Sequence, residues 1–111
     1  MKRGELWLAN MNPVIGNETS GVRPVLIIST DEYNLLPFKL LIICPLTSKN
    51  KPYNSRIHIK RGTSGLVKDS WIKTEEIKTI SNERLINKLG DVPQEILDMI
   101  TQLIKIYVKI Y

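Results

Sequence analysis

The chain has 111 residues, which suits one domain with a single hydrophobic core over residues 1–111. Sixteen basic and 11 acidic side chains give a formal net charge of +5, which favours anionic partners through steering and counterion release. A single cysteine excludes an internal disulfide. With only one histidine we expect no metal-ligand cluster and no cofactor.

Membrane insertion and secretion are not expected. The longest apolar runs, near residues 40–43, are far shorter than the ~20 residues that a membrane-spanning helix needs. The beginning, MKRGELW, is charged but is followed by no apolar segment typical of a signal peptide. We therefore expect a cytoplasmic location.

The first half of the chain predicts three strands. ELWLANM alternates, with Leu6 and Leu8 on one face and Glu5 and Trp7 on the other. The turn-rich loop NPVIGNETSG follows, and then RPVLIIST and KLLIICPLT are continuous apolar strands of the kind that is covered on both faces. Between these two strands, DEYNLL predicts one helical turn with Asp31 as its N-cap.

The second half begins with strands and ends with a helix. RIHIK alternates, which places Ile57 and Ile59 inward and directs Arg56, His58 and Lys60 outward. LVKDSWIKTEEIKTI predicts a further extended segment centred near Trp71 and Ile72.

The last predicted element is a C-terminal helix. Asp91 precedes Gln94 by three residues, a capping-box spacing, with Pro93 in the first turn. Apolar residues then follow at helical spacing: Ile96, Ile100, Leu103, Ile104 and Tyr107. The predicted fold class is mainly β, a small barrel of bent antiparallel strands closed by this helix.

Standard catalytic motifs are absent, so attention falls on polar residues at strand ends. His58 is predicted to be a surface side chain rather than a general base. Pro24 forces Arg23 towards an extended backbone and suits the first residue of a strand, so Arg23 lies where loop becomes strand. Thr47 occupies the matching position at the end of the second apolar strand. If these strands are neighbours, the two residues converge on an anion-sized space; alternatively, Arg23 pairs with Glu18 and Thr47 is a turn residue.

The sequence resembles the MazF/PemK family of type II toxin–antitoxin ribonucleases. The resemblance is carried, in order, by RGELWLANMNPVIGNETSGVRPVLIIS, ICPLTSKNK, DSWIKTEEIKTIS and RLINKLGDVPQEIL, which together cover nearly the whole chain. It implies an SH3-like barrel with a C-terminal helix and a homodimer. It also implies metal-independent cleavage of single-stranded RNA at short specific sequences.

In this family the ribose 2′-OH attacks the adjacent phosphorus and leaves a 2′,3′-cyclic phosphate and a 5′-OH. The resemblance places Arg23 on the catalytic arginine and Thr47 on the catalytic threonine. Glu18 matches the loop glutamate, as general base or as the group that orients the arginine. A guanidinium suits phosphate because its fixed donors bind two oxygens at once and stay cationic.

The resemblance also implies substrate-binding positions and partners. Tyr53 would stack an unpaired base, and Asn54 would read a base edge. The full implied set is Asn17, Thr19, Tyr53, Asn54, Ser55, Arg56, Ser70 and Glu75. The implied protein partner is an antitoxin whose flexible acidic C-terminal segment occupies the RNA groove, and DNA is contacted only indirectly, through that antitoxin.

Two other functions stay open from the sequence. One is a non-catalytic toxin of the same fold that poisons DNA gyrase as CcdB does, and the other is a nucleic-acid-binding module without catalysis. Neither requires an arginine–threonine pair, so the joint presence of GVRPV and PLTS favours the nuclease.

Overall fold

The computed structural model describes residues 1–13, 16 and 20–109, which contain seven strands and two α-helices. The strands are β1 (Glu5–Asn10), β2 (Val22–Ile27), β3 (Leu40–Thr47), β4 (Arg56–Ile59), β5 (Ser70–Lys73), β6 (Lys78–Ser81) and β7 (Leu85–Asp91). The helices are α1 (Asp31–Asn34) and α2 (Gln94–Val108), and short 3₁₀ turns lie at Thr74–Glu76 and Asn82–Arg84.

The strands form one antiparallel sheet in the order β4-β5-β3-β2-β1-β7, with β6 also paired to β3. The predicted class, antiparallel strands with a C-terminal helix, is confirmed. Within the described residues, however, no ladder joins β4 to β7, so the sheet is open rather than a closed barrel. The predicted extended segment around Trp71 is divided into β5 and β6 by the turn Thr74–Glu76.

The continuous apolar strands are buried on both faces, as predicted. In β2, Leu26 belongs to one hydrophobic cluster, whereas Val25 and Ile27 belong to another. In β3, Leu46 packs in the first cluster and Ile43 in the second. Since successive strand residues point to opposite faces, a strand covered on both sides needs an unbroken apolar sequence. Full burial of each such side chain contributes about 1.5–3 kcal/mol.

The same two-sided burial applies to β1. Leu6 lies in the first cluster, while Trp7 and Ala9 pack on the second, and Leu8 is only half-buried. The face that carries Glu5 and Trp7 is also partly covered. Trp7 is partly covered there because it packs against the second hydrophobic cluster.

Helix α2 packs on the first cluster through Leu97 and Ile100, which are buried. Arg3 ties the helix to the sheet: its Nε donates to the Ile28 carbonyl at 3.1 Å and its Nη2 donates to Thr101 Oγ1 at 3.3 Å. Leu97 was not among the predicted apolar positions, whereas Ile100 was. No helix in the described part of the chain has the length and apolar character needed to cross a membrane.

Both predicted N-caps are wrong. Thr30, not Asp31, caps α1 by accepting a hydrogen bond from the Tyr33 N–H at 3.2 Å, and Asp31 instead accepts from the Arg3 N–H. Pro93 occupies the N-cap position of α2. Asp91 is unavailable as a cap because it is the last residue of β7, opposite Glu5 in the ladder with β1.

Burial, and to a smaller extent the negative charge of Glu75, raises the pKa of the Cys44 thiol to about 12. Because the thiolate is the reactive form, we expect alkylation by iodoacetamide at pH 8 to be at least about 100-fold slower in the folded chain than in guanidinium. Mass spectrometry of timed samples measures both rates. Similar rates in the two states would contradict this burial.

Candidate active site

A pocket of about 250 Å³ lies where β2 begins and β3 ends. Its described lining includes the predicted site residues Arg23, Thr47 and Ser70. The other described lining residues are Val22, Pro24, Leu46, Ser48, Leu66, Val67 and Lys68. Arg23, Thr47 and Ser70, which are separated by 24 and 23 positions in the sequence, thus line the same pocket.

Strand pairing brings Arg23 and Thr47 together. β2 and β3 are antiparallel neighbours in which Val25 pairs with Pro45. Two residues further along the same register are Arg23 on β2 and Thr47 on β3, and both line the pocket. The hypothesis that the two strands are neighbours is therefore confirmed. Pro24, however, is the third residue of β2 rather than the first; it lies opposite Leu8 in the ladder with β1, one residue before the ladder with β3 begins at Val25.

The Arg23 side chain is half-buried and held in place by its own loop. Its Nε donates to the Ser20 carbonyl at 2.8 Å. Among the described residues, Nη1 and Nη2 make no other hydrogen bond. A guanidinium has five N–H donors in a fixed plane, so an arginine anchored through Nε still presents two nitrogens to an anion.

Thr47 is 8% exposed, and its hydroxyl has one defined partner. Oγ1 accepts a hydrogen bond from the Lys49 N–H at 3.2 Å. A threonine hydroxyl carries one proton and two lone pairs, so this contact leaves the proton free to donate. Thr47 can therefore donate a hydrogen bond to a ligand oxygen.

Ser70 is buried and lines the same pocket, but its proton is already committed. Its Oγ donates to the Lys68 carbonyl at 3.1 Å, so towards a ligand it acts as an acceptor. The charged residues of the described lining are Arg23 and Lys68, which are both cationic. A small pocket with two cations and a hydroxyl donor favours a phosphate-sized anion.

A second group of predicted site residues forms a separate cluster that does not line this pocket in the described part of the chain. Its members are Tyr53, Ser55, Arg56 and Glu75. Arg56 pairs with Glu75 through Nε and Nη2, each 2.8 Å from Oε2, and Ser55 Oγ donates to Oε1 at 2.8 Å. The Arg56 guanidinium also stacks over the Tyr53 ring, with Cζ 5.0 Å from the centroid. Arg56 lies on the strand face opposite the buried Ile57, as predicted, but its side chain is only 8% exposed because Glu75 and Tyr53 cover it.

These contacts fix the charge of Glu75. Burial raises its pKa, but the stronger combined effect of hydrogen bonds from Arg56 and Ser55 lowers it below the usual value. Glu75 is thus an ionised partner of Arg56. Glu76 pairs with Lys73, so part of the acidic TEE segment is neutralised internally. Asn54 is exposed at the turn before β4.

Three predicted residues, Asn17, Glu18 and Thr19, lie outside the described residues. The residues that flank this loop are hydrogen-bonded to each other beside β2. Met11 N–H donates to the Gly21 carbonyl at 2.9 Å, and Gly21 N–H donates to Asn12 Oδ1 at 3.0 Å. Arg84 Nη1 donates to the carbonyls of Asn10 and Asn12 at 3.0 and 2.5 Å. The loop therefore starts and ends next to Arg23.

Lys68 is a pocket residue that the sequence argument missed. It lies in the loop between β4 and β5, and a close backbone approach positions that loop against β7. A Cβ atom at Gly65 would lie 1.9 Å from the Leu89 carbonyl oxygen, and one at Gly90 would lie 2.4 Å from the Ser64 carbonyl oxygen. Gly65 in RGTSG and Gly90 in KLGD were the available signal, since glycine permits such an approach.

The contact between Thr74 and Tyr107 was also not predicted. Thr74 is fully buried, and its Oγ1 donates to the Ser55 carbonyl at 2.6 Å. Because that bond uses its proton, the 2.7 Å contact with Tyr107 must be donated by the tyrosine hydroxyl. Helix α2 thus holds the loop that carries the predicted residues Tyr53 to Ser55.

Comparison with known proteins gives consistent similarities. Residues 2–108 match the family model described as PemK-like, MazF-like toxin of type II toxin-antitoxin system. The chain is 32% identical over 108 residues to Endoribonuclease EndoA of Bacillus subtilis, covering 96% of this chain and 92% of that protein. It is 28% identical over 116 residues to Endoribonuclease MazF9 of Mycobacterium tuberculosis, covering 100% and 98%.

Solved structures show the same fold. MazF from Deinococcus radiodurans aligns with a TM-score of 0.87 at 22% identity, covering 99% of this chain and 97% of that one. A MazE–MazF structure from the same organism aligns with a TM-score of 0.81 at 22% identity, covering 100% and 97%.

Proposed function

The chain belongs to the PemK-like, MazF-like toxins of type II toxin–antitoxin systems. We propose that it cleaves single-stranded RNA by a reaction in which a ribose 2′-OH of the RNA itself is the nucleophile. One observation supports this most directly: Arg23 and Thr47 line one cationic pocket at the joined ends of β2 and β3. The relatives it matches over nearly their full length are endoribonucleases.

In the proposed reaction, the 2′-oxygen forms a bond to the adjacent phosphorus while the bond from phosphorus to the 5′-oxygen breaks. The 2′-OH loses its proton to a base, and the leaving 5′-oxygen gains one. The products are a 2′,3′-cyclic phosphate and a 5′-OH. Since the substrate supplies its own nucleophile, the protein needs only to orient the chain, move protons and stabilise charge.

Arg23 and Thr47 fit the charge-stabilising part of this reaction. The Nη1 and Nη2 groups of Arg23, which make no hydrogen bond to the described residues, would bind two non-bridging phosphate oxygens, and their charge would offset the charge that develops at phosphorus. The Thr47 hydroxyl would donate to a phosphate oxygen. Glu18 stays our candidate for the base that accepts the 2′-OH proton, or for the group that orients Arg23.

The other predicted site residues take binding roles in this proposal. Ser70 would accept a hydrogen bond at the edge of the pocket. Tyr53, Asn54, Ser55, Arg56 and Glu75 would contact the RNA chain beyond it, with Glu75 acting through Arg56. Asn17 and Thr19 would contact RNA from the first loop.

The same surface accounts for the proposed partners. The toxin would act in the cytoplasm as a homodimer, and an antitoxin would inhibit it by placing a flexible acidic segment over the cationic pocket. The exposed apolar side chains of Leu35, Phe38, Ile106 and Val108 offer contact area for the second copy or the antitoxin. A gyrase poison or a binding module would have no use for a paired arginine and threonine, so the geometry favours the nuclease.

We expect the purified, antitoxin-free chain to cleave single-stranded RNA in EDTA and to leave 2′,3′-cyclic phosphate and 5′-OH ends. Thr47→Ala should lower the cleavage rate about 10²-fold or more, because one preorganised donor to the phosphate is lost. Thr47→Ser keeps the hydroxyl and should retain most of the rate. Gel analysis of a labelled RNA, with enzymatic end mapping, measures both outcomes.

Thr79→Ala is a suitable control, because Thr79 is exposed on β6 and does not line the pocket. Its cleavage rate should match the wild type. A folded chain that cleaves no RNA, or cleaves only when metal is added, would refute the proposed reaction.

A further inference from the structure

Two aromatic rings stack on the sheet beside the pocket. The rings of His58 on β4 and Trp71 on β5 have centroids 5.0 Å apart and are inclined by 22°. Trp71 is half-buried, and the side chain of His58 is 49% exposed. Trp71 is therefore the more covered ring of the stack, and His58 is the more exposed one.

Strand register places this stack in line with Thr47. Trp71 pairs with Thr47 across β3–β5 and with His58 across β4–β5. Directly paired residues of antiparallel strands project from the same face, and neighbouring strands lie about 5 Å apart. Thr47, Trp71 and His58 thus form one row, and Arg23 lies on the other side of Thr47.

His58, the more exposed ring, is held by a hydrogen-bonded carboxylate. Asp69 Oδ1 is 3.2 Å from His58 Nε2 and also accepts the Arg61 N–H at 2.9 Å. The Arg61 contact first, and then that with His58, lower the pKa of Asp69, so this acceptor stays ionised. The imidazole is thereby oriented before any ligand arrives.

An oriented, solvent-facing aromatic stack beside a phosphate pocket matches how proteins bind unpaired bases. Single-stranded nucleic acid binds through cationic grooves that follow the backbone and aromatic rings on which bases stack. Here the cations Arg23 and Lys68 line the pocket, and the stack begins one strand away from Thr47. The same arrangement would need no base-specific hydrogen bond.

We propose that the Trp71–His58 stack binds the base of a nucleotide next to the scissile phosphate and so fixes the substrate strand across β3, β5 and β4. This inference rests on the proposed function, because it takes the anion in the pocket to be the scissile phosphate. Trp71 and His58 are substrate-positioning residues that accept any base.

A set of RNA oligonucleotides tests this directly. Each has a 2′-deoxy nucleotide at the cleavage site to prevent reaction and one abasic nucleotide at a neighbouring position. Removing the stacked base should weaken binding to the wild type roughly 10-fold at one position. Trp71→Leu should weaken binding of the intact oligonucleotide by a similar factor, and the abasic change should then have no further effect. Trp71→Phe, which keeps an aromatic ring, should bind nearly as the wild type.

If the abasic change weakens the wild type and Trp71→Leu equally at every position, the inference is overturned. Thermal unfolding identifies a misfolded Trp71→Leu, in which case the exposed His58→Ala takes its place in the same comparison. Cleavage of an all-RNA oligonucleotide by the wild type is measured separately. If the abasic change weakens binding to the wild type but not to Trp71→Leu, and no RNA is cleaved, the stacking inference is supported and the proposed nuclease function is refuted. If RNA is cleaved but the abasic change affects both proteins equally, the nuclease function is supported and the stacking inference is refuted.

Discussion

Replacement of Arg23 by alanine is expected to lower the RNA cleavage rate about 10³-fold or more, without unfolding the chain. The reason is that Nη1 and Nη2 have no other hydrogen bond among the described residues and are available to the phosphate. A preorganised donor to a developing oxyanion is worth about 10²–10³-fold, and an arginine on a transferring phosphoryl group up to about 10⁵-fold. Single-turnover kinetics with a short labelled RNA measures the loss.

Arg23→Lys separates charge from geometry. Lysine keeps the positive charge but cannot bind two phosphate oxygens from one plane or donate from Nε to the Ser20 carbonyl. We expect a rate between those of the wild type and Arg23→Ala. Arg61→Ala is the matched control, since it removes one exposed arginine outside the pocket and should change the rate less than about 10-fold. An Arg23→Ala variant as active as this control would contradict the assignment.

Gly65→Ala is expected to destabilise the chain by about 3 kcal/mol. Gly65 has φ +80, a conformation that costs an alanine about 1–2 kcal/mol. Its Cβ would also lie 1.9 Å from the Leu89 carbonyl oxygen, so the β4–β5 loop or β7 must move, at a cost of about 1–3 kcal/mol. Thermal denaturation should show a melting temperature lower by roughly 10–20 °C.

Gly62→Ala distinguishes the two causes. Gly62 has φ +81, nearly the same backbone conformation, but in the described part of the chain no atom of a residue other than its two sequence neighbours lies within 4 Å of its Cβ position. The expected loss is therefore only about 1 kcal/mol. Equal losses at the two glycines would show that the approach to β7 does not matter. The folded fraction of Gly65→Ala should also cleave RNA more slowly, because the displaced loop carries Lys68.

The sequence predicted the centre of the sheet well because its signals there are local and strong. Unbroken apolar runs at Val25–Ile27 and Leu40–Leu46 indicate strands buried on both faces, and both are. β7 was not predicted, since its residues are mostly exposed or half-buried and its position depends on pairing with β1. The same pairing explains the wrong cap: Asp91 has the spacing of a capping residue but belongs to a strand.

The candidate site was predictable where strand ends define it and not where loops do. Arg23 and Thr47 follow from two neighbouring strands whose polar ends coincide. The contribution of Lys68 depends on the contact of Gly65 with Leu89, which joins segments far apart in sequence. Arg56 is likewise buried by Glu75, which lies on a distant segment, and by the nearby ring of Tyr53. Spacing alone does not reveal such long-range contacts.

The two-sided burial of β2 and β3 also has a dynamic consequence. Strands covered on both faces open only when the whole domain unfolds, so their amide protons exchange with solvent last. Arg23 and Thr47 are attached to the ends of these two strands. The proposed phosphate-binding geometry is therefore carried by the part of the molecule that we expect to exchange most slowly, and it should persist through local fluctuations elsewhere until cooperative unfolding removes it.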